Sequence, residues 1–302
     1  IYIMTFYMGM YENMKIGDVV VRKSYDRDIT FKIIDVKEET RGKLYILKGI
    51  NLRIIADAVA DDLEPVSQDS LTESEKIFSR QVNRSIKDIL TNRGGFRQEY
   101  NITKFLSHKS SNELTFGRPG KILHIDGDPE YLDVCLKVYK QLLLDVVGKN
   151  IPEKDQPGQV VELAKEIKPD IIVITGHDSI AKGTKDYTNL DNYKNSRYFV
   201  KTVSELRNYK SNYDDLVIFA GACQSCYEKI LDSGANFASS PSRVLIHCLD
   251  PVFLCEKIAY TNIEKVVSIQ EALENTITRT NGIGGLQTRG KYREGFPKSL
   301  YV

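Results

Sequence analysis

The sequence predicts a doubly wound α/β domain preceded by a small β-barrel. Three observations carry that prediction. From Pro119 onward, nearly continuous apolar runs such as Ile171-Ile172-Val173-Ile174 and Leu216-Val217-Ile218-Phe219-Ala220 alternate with helical stretches, the pattern of parallel strands covered on both faces. Crossovers between parallel strands are right-handed, so such a chain winds helices onto both sides of one sheet. Residues 14–65, by contrast, hold four or five short β-rich runs with turn residues between them.

In chain order, the runs at 19–21, 30–34, 43–47 and 52–56 are rich in Val, Ile, Tyr and Phe, and Gly17, Asp26, Asp28, Gly42 and Gly49 punctuate them. They read as an SH3-like barrel, a module that binds a peptide or docks onto a neighbour. Residues 66–118 are a polar linker. A helix is expected from about Glu73 to Leu90, broken by Asn92-Arg93-Gly94-Gly95. Strand 121–125 opens the α/β domain, 119–302. Asp128-Pro129-Glu130 then starts a helix to about Leu142, with Asp as N-cap and Pro in the first turn. A short strand at 145–147, a helix at 160–167 and strand 170–175 follow. After them come helix 197–209, strand 216–220, helix 224–232, strand 243–247 and helix 250–260.

Composition limits the function classes. The chain has 302 residues, 41% hydrophobic and 27% charged, as in an ordinary globular protein. Lys and Arg total 42 against 41 Asp and Glu, so bulk charge selects neither nucleic acid nor an anionic membrane. Five cysteines, an odd number, point to a reducing compartment rather than a disulfide scaffold. No apolar run approaches the ~20 residues that span a bilayer. Residues 1–13 lack the basic start of a signal peptide; Met14 is expected to be the natural start, and 1–13 an N-terminal extension.

In a sheet of this kind, ligands sit outside the carboxyl ends of the strands. His177 follows one strand end and Cys223 follows the next, 46 residues later. A thiol needs a base or a positive environment to become the nucleophilic thiolate. An imidazole supplies the first. The helix expected to open at Gln224 supplies the second. Asp128 reads as a helix cap and Asp126 as a turn former. As rim acids, they and Asp178 could also face a substrate guanidinium.

The spacing resembles the caspase-like cysteine proteases, whose His lies ~50 residues upstream of a Gln-Ala-Cys. Here the string is Gly221-Ala222-Cys223. That resemblance implies an oxyanion hole from the backbone N–H of Cys223 and from a glycine beside the histidine. In those families the glycine follows the histidine; here Gly176 precedes it and Asp178 follows.

A second resemblance spans nearly the whole chain from Met14. Met14-Lys15-Ile16-Gly17-Asp18, Leu47-Lys48-Gly49-Ile50-Asn51, His124-Ile125-Asp126-Gly127-Asp128-Pro129-Glu130-Tyr131-Leu132, Ile174-Thr175-Gly176-His177-Asp178 and Phe219-Ala220-Gly221-Ala222-Cys223-Gln224-Ser225-Cys226-Tyr227-Glu228 resemble the YabG family of sporulation-specific cysteine peptidases. The resemblance implies catalysis by His177 and Cys223 and preference for Arg before the scissile bond; the residue pattern itself calls for no cofactor or metal. The resemblance also implies processing of spore coat and cortex-associated proteins in the mother-cell cytoplasm or at the coat. Some of Asp126, Asp128 and Asp178 would then line the specificity pocket. Such an enzyme carries candidate substrates in its own linker, at Arg80 first and then Arg84, Arg93 and Arg97.

Three rival readings remain at this level. Cys223 and Cys226 form the spacing of a thiol redox pair. His247 follows Val244-Leu245-Ile246 and rivals His177, and with Cys248 it could join a metal site. A coat component using the barrel and sheet only for docking would need no catalytic cysteine. His124, Cys135 and Cys255 read as core residues, and His108 as solvated.

Overall fold

The computed structural model describes residues 14–40, 42–66, 73–105 and 116–299. The extension expected at 1–13 and His108 lie outside the described residues. Contacts divide the chain into two compact units, 1–82 and 83–302.

The first unit is an antiparallel sheet of β1 (Val19–Arg22), β2 (Thr30–Glu39), β3 (Gly42–Gly49), β4 (Ile55–Val59) and β5 (Leu63–Pro65), in the order β4-β3-β2-β1-β5. One face closes over Met14, Val20, Phe31, Ile33, Tyr45, Leu47 and Leu63. Alternation places Phe31 and Ile33 together inward, until an irregularity at Ile33/Asp35 shifts the register. The fourth strand starts later than the run 52–56 suggested. Gly49 N donates to Ile54 O and Ile54 N to Leu52 O, so the chain is still turning there.

Helix α1 (Glu73–Phe105) is continuous, where a break at Asn92-Arg93-Gly94-Gly95 was expected. Each glycine costs a helix only about 1 kcal/mol, and tertiary contacts at Arg93 oppose that cost. Its guanidinium meets Glu256 at 3.1 Å, donates to Leu142 O at 2.9 Å and lies over the Tyr260 ring.

The second unit holds a six-stranded, mostly parallel sheet with helices on both faces. Its elements run β6 (Phe116–Arg118), β7 (Ile122–Asp126), α2 (Pro129–Gln141), β8 (Val146–Asn150), α3 (Gln156–Ile167), β9 (Ile171–Thr175), α4 (Ser196–Tyr209), β10 (Val217–Ala220), α5 (Tyr227–Asp232), β11 (Phe237–Ser239) and α6 (Asp250–Tyr260). After α6 come β12 (Val266–Val267), α7 (Ile269–Leu273), α8 (Arg279–Gly282), β13 (Ile283–Gly285), β14 (Thr288–Arg289) and β15 (Arg293–Gly295). The sheet order is β13-β11-β10-β9-β7-β8, with only β13 antiparallel. Two small ribbons, β12 with β14 and β6 with β15, lie outside it.

Strand alternation sorts the core. Leu123, Ile125, Ile172, Ile174, Ile218 and Ala220 share one cluster with Val160 and Ala164 of α3 and Phe199, Val203 and Leu206 of α4. The intervening His124 faces the other side, where its Nδ1 meets the Tyr139 hydroxyl of α2. Since β8 lies outside β7 and β9 lies inside it, the strand order reverses between β7 and β9. That reversal is the switch point at which α/β sheets bind ligands.

The fifth parallel strand is β11, whereas the run 243–247 was expected to form it. Ser240 and Arg243 adopt positive φ, which breaks extension. The backbone of that run instead serves the cysteine loop: Val244 O accepts from Gln224 N, and Ile246 N donates to Cys223 Sγ.

Candidate active site

Asp126 pairs with Thr175 across β7 and β9, and Ile174 pairs with Ala220 across β9 and β10. Asp128 and His177 each lie two residues past the first couple. His177 and Cys223 each lie three past the second. Three adjacent strands therefore deliver an acid, an imidazole and a thiol at matching distances beyond their carboxyl ends.

The acid and the imidazole are joined. His177 Nε2 lies 2.8 Å from Asp128 Oδ2. A carboxylate only accepts, so in the neutral ring Nε2 is the nitrogen that carries the proton and Nδ1 the one with the lone pair. Among the described residues, that buried Nδ1 has no hydrogen-bond partner. The same Asp128 caps α2, its Oδ1 accepting from Glu130 N and Tyr131 N. The cap thus fixes the carboxylate that orients the histidine. Asp126 lies one layer deeper. It accepts from Asp128 N at 2.9 Å and from the Thr175 hydroxyl at 2.9 Å, while His124 Nε2 meets Thr175 Oγ1 at 3.0 Å.

The backbone of His177 is also held. Its N–H donates to Glu153 Oε1 at 2.6 Å, and its carbonyl accepts from Asn195 Nδ2 at 2.8 Å. Gly176 and Gly127 end the two switch-point strands, and a Cβ on either would run into the Glu153 carboxylate.

Asp178 joins the histidine loop to the cysteine loop. Its Oδ1 accepts from Ser179 N and Asn195 N, and its Oδ2 from the hydroxyls of Ser196 and Ser225. Ser225 Oγ in turn accepts from Ala222 N, and Ser196 Oγ from Cys226 N. Burial pushes the Asp178 carboxyl above its ordinary range, against four donors that pull it down.

Cys223 is 1% exposed, and Ile246 N points at its sulfur from 3.2 Å, a contact that stabilises negative charge there. The turn before it relies on Gly221, whose φ of 112° suits glycine. Helix α5 begins at Tyr227 rather than at the expected Gln224, because Gln224 adopts positive φ and donates to Ser240 Oγ. The charge support expected from a helix end at Cys223 therefore comes from Ile246 N instead.

The rival groups are engaged elsewhere. Cys226 Sγ faces Tyr187 O at 3.5 Å, and burial pushes its thiol up. His247 Nδ1 accepts from Leu249 N, and the His247 backbone N–H donates to Asp250 Oδ2. All five cysteines are buried thiols outside any disulfide. Glu153, Ser196, Ser225 and Ile246 escape the sequence reading, since each works through a neighbour brought close only by the sheet order. Ser225 alone had a local signal, its place within Cys223-Gln224-Ser225-Cys226.

The fold is therefore that of an α/β protein whose switch point carries a carboxylate-oriented imidazole, with a buried thiol past the end of the next strand. A family model described as YabG peptidase U57 matches residues 15–297. The chain is also 42% identical over 286 residues to the sporulation-specific protease YabG of Bacillus subtilis (strain 168), covering 94% of this chain and 98% of that protein. It belongs to the YabG peptidase family, and its role is that of a protease in sporulation. No solved structure matches the chain. No helix among the described residues is long and apolar enough to cross a membrane.

Proposed function

We propose that this chain is a cysteine endopeptidase with Cys223 as nucleophile, His177 as acid and base, and Asp128 as the group that orients His177. The observation that carries the reading is the His177 Nε2–Asp128 Oδ2 bond, which leaves Nδ1 as the basic nitrogen. His177 Nδ1 takes the proton from Cys223 Sγ, and the sulfur attacks the peptide carbonyl. The tetrahedral oxyanion is held by backbone N–H groups, with those of Cys223 and Gly176 the candidates. His177 then returns the proton to the leaving amine, and a thioester remains. Water, deprotonated by His177, attacks the thioester, releases the acid and restores the thiol. No cofactor enters this sequence.

The strand order, with five parallel strands and an antiparallel edge, supports a caspase-like arrangement. The five-stranded first unit supports an SH3-like module that recruits a peptide or a neighbour. Boundaries at 65 and 118 belong to the same proposal, with α1 filling most of the segment between. The substrates are spore coat and cortex-associated proteins, met in the mother cell or at the coat and cleaved after Arg. Asp126, Asp128 and Asp178 are the acids expected at the pocket. The bonds each makes within the protein support a positioning role, which leaves the guanidinium to a carboxylate with an oxygen to spare. Self-cleavage at Arg80 requires local opening, since Arg80 lies exposed on α1.

The test is labelling by a peptide electrophile bearing Arg at its reactive end, read by mass, together with peptide cleavage. Modification at Cys223, and loss of cleavage in a folded Cys223→Ala, is expected. An inert Cys223 would favour a docking protein. Loss of function in Cys226→Ser with Cys223 intact would favour redox chemistry.

A further inference from the structure

We infer that Glu153 is the specificity-determining residue of this site, the carboxylate that receives the basic side chain before the scissile bond. The inference rests on the reading of His177 and Cys223 as the catalytic pair and of Arg as the residue before the scissile bond. Glu153 is on neither switch-point strand. It follows β8, where Ile151 N donates to Asp126 O and Asp155 N closes a turn onto Pro152 O. That turn lays the Glu153 side chain across the ends of β7 and β9. Gly127 and Gly176 form the floor of the crossing, and a Cβ at either would push the carboxylate aside.

The two oxygens differ. Oε1 accepts the His177 N–H at 2.6 Å. Among the described residues Oε2 has no hydrogen-bond or ion-pair partner, and the side chain is only half-buried. A carboxylate anchored at one oxygen and open at the other, beside the base, fits a cationic side chain. Its link to the His177 backbone makes substrate charge and histidine position neighbours through one group. Asp126 and Asp178 differ, because both oxygens of each already accept from protein donors.

Glu153→Gln keeps an acceptor for His177 N–H and removes the charge. Matched peptides carrying Arg or its neutral isostere citrulline before the scissile bond separate the two functions. The variant is expected to lose about 10²-fold more in kcat/KM on the Arg peptide than on the citrulline peptide, chiefly in KM. Equal losses on both peptides would make Glu153 a positioning residue only, and no loss on either would remove it from the site. A binding arm is independent of turnover. By calorimetry, Cys223→Ala should bind an Arg-ended product peptide about 10²-fold more tightly than the Cys223→Ala, Glu153→Gln protein. Equal affinities overturn the inference. An Arg peptide that binds in a Glu153-dependent way but is never cut by the parent enzyme would instead refute the catalytic reading.

Discussion

His177 Nε2 and Asp128 Oδ2 lie 2.8 Å apart, across the two strands that flank the switch point. One carboxylate thus begins helix α2 with one oxygen and orients the His177 imidazole with the other. Asn caps a helix about as well as Asp, so Asp128→Asn should melt close to the parent. It should still lose about 10²–10⁴-fold in kcat, because an amide can present its NH₂ to the imidazole and favour the wrong tautomer. Circular dichroism and steady-state kinetics on one preparation check both halves. An equal loss of fold and rate would reduce Asp128 to a cap.

Kinetics on single variants tells the two candidate histidines apart. His177→Ala should lower kcat by about 10²–10⁴-fold. His247→Ala should lower it much less, since the described bonds of His247 serve a turn with Leu249 and Asp250. Comparable losses in two folded variants would reverse the assignment.

Asp178→Ala removes the acceptor of two backbone N–H groups and two serine hydroxyls. Buried donors left without an acceptor cost roughly 1–3 kcal/mol each where water cannot replace it. The expected result is a fall of at least about 3 kcal/mol in stability by urea unfolding, with activity reduced even well below the new midpoint.

Arg93→Ala leaves Glu256 buried without its guanidinium. Burial already pushes the Glu256 carboxyl up, and Arg93 is the first group opposing it. Removal of one member of a buried pair costs about 3–5 kcal/mol. Arg93→Ala should therefore destabilise far more than Arg84→Ala, whose side chain is exposed on the same helix.

Asp250 supplies a pH signature. Burial raises its pKa from 3.8 to about 6, over the opposing bonds from Thr278, Ile277 and His247. The folded chain then holds this proton more tightly than the unfolded chain does. Its contribution to stability is full below about pH 4 and declines as pH rises to about 6, by roughly 3 kcal/mol in all. Above that window the group adds no further slope. Urea midpoints across pH 4–7 should show the decline in the parent, and Asp250→Asn should lack this component.

Much of this was legible along the chain. The apolar runs ending at Thr175 and Ala220 placed His177 and Cys223 at strand ends, and Asp128-Pro129-Glu130 announced its helix. What the chain alone does not carry is adjacency. That Asp128 reaches His177 depends on β7 lying beside β9, and that Glu153 reaches both glycines depends on β8 lying outside them. The misreadings share this cause. Val244-Leu245-Ile246 has the composition of a strand, yet its backbone is claimed by Cys223 and Gln224. Gly94-Gly95 looks like a helix stop until Glu256 and Tyr260 hold Arg93.

Ser179 N and Asn195 N meet at the same Asp178 oxygen, and Ile180 bridges Tyr193 just beyond. The segment they enclose leaves the sheet and returns to it through a single neck. Near its tip the Tyr187 carbonyl faces Cys226 Sγ and accepts from Arg243, so a change of length in this segment is felt first at the cysteine loop and only through the neck at His177.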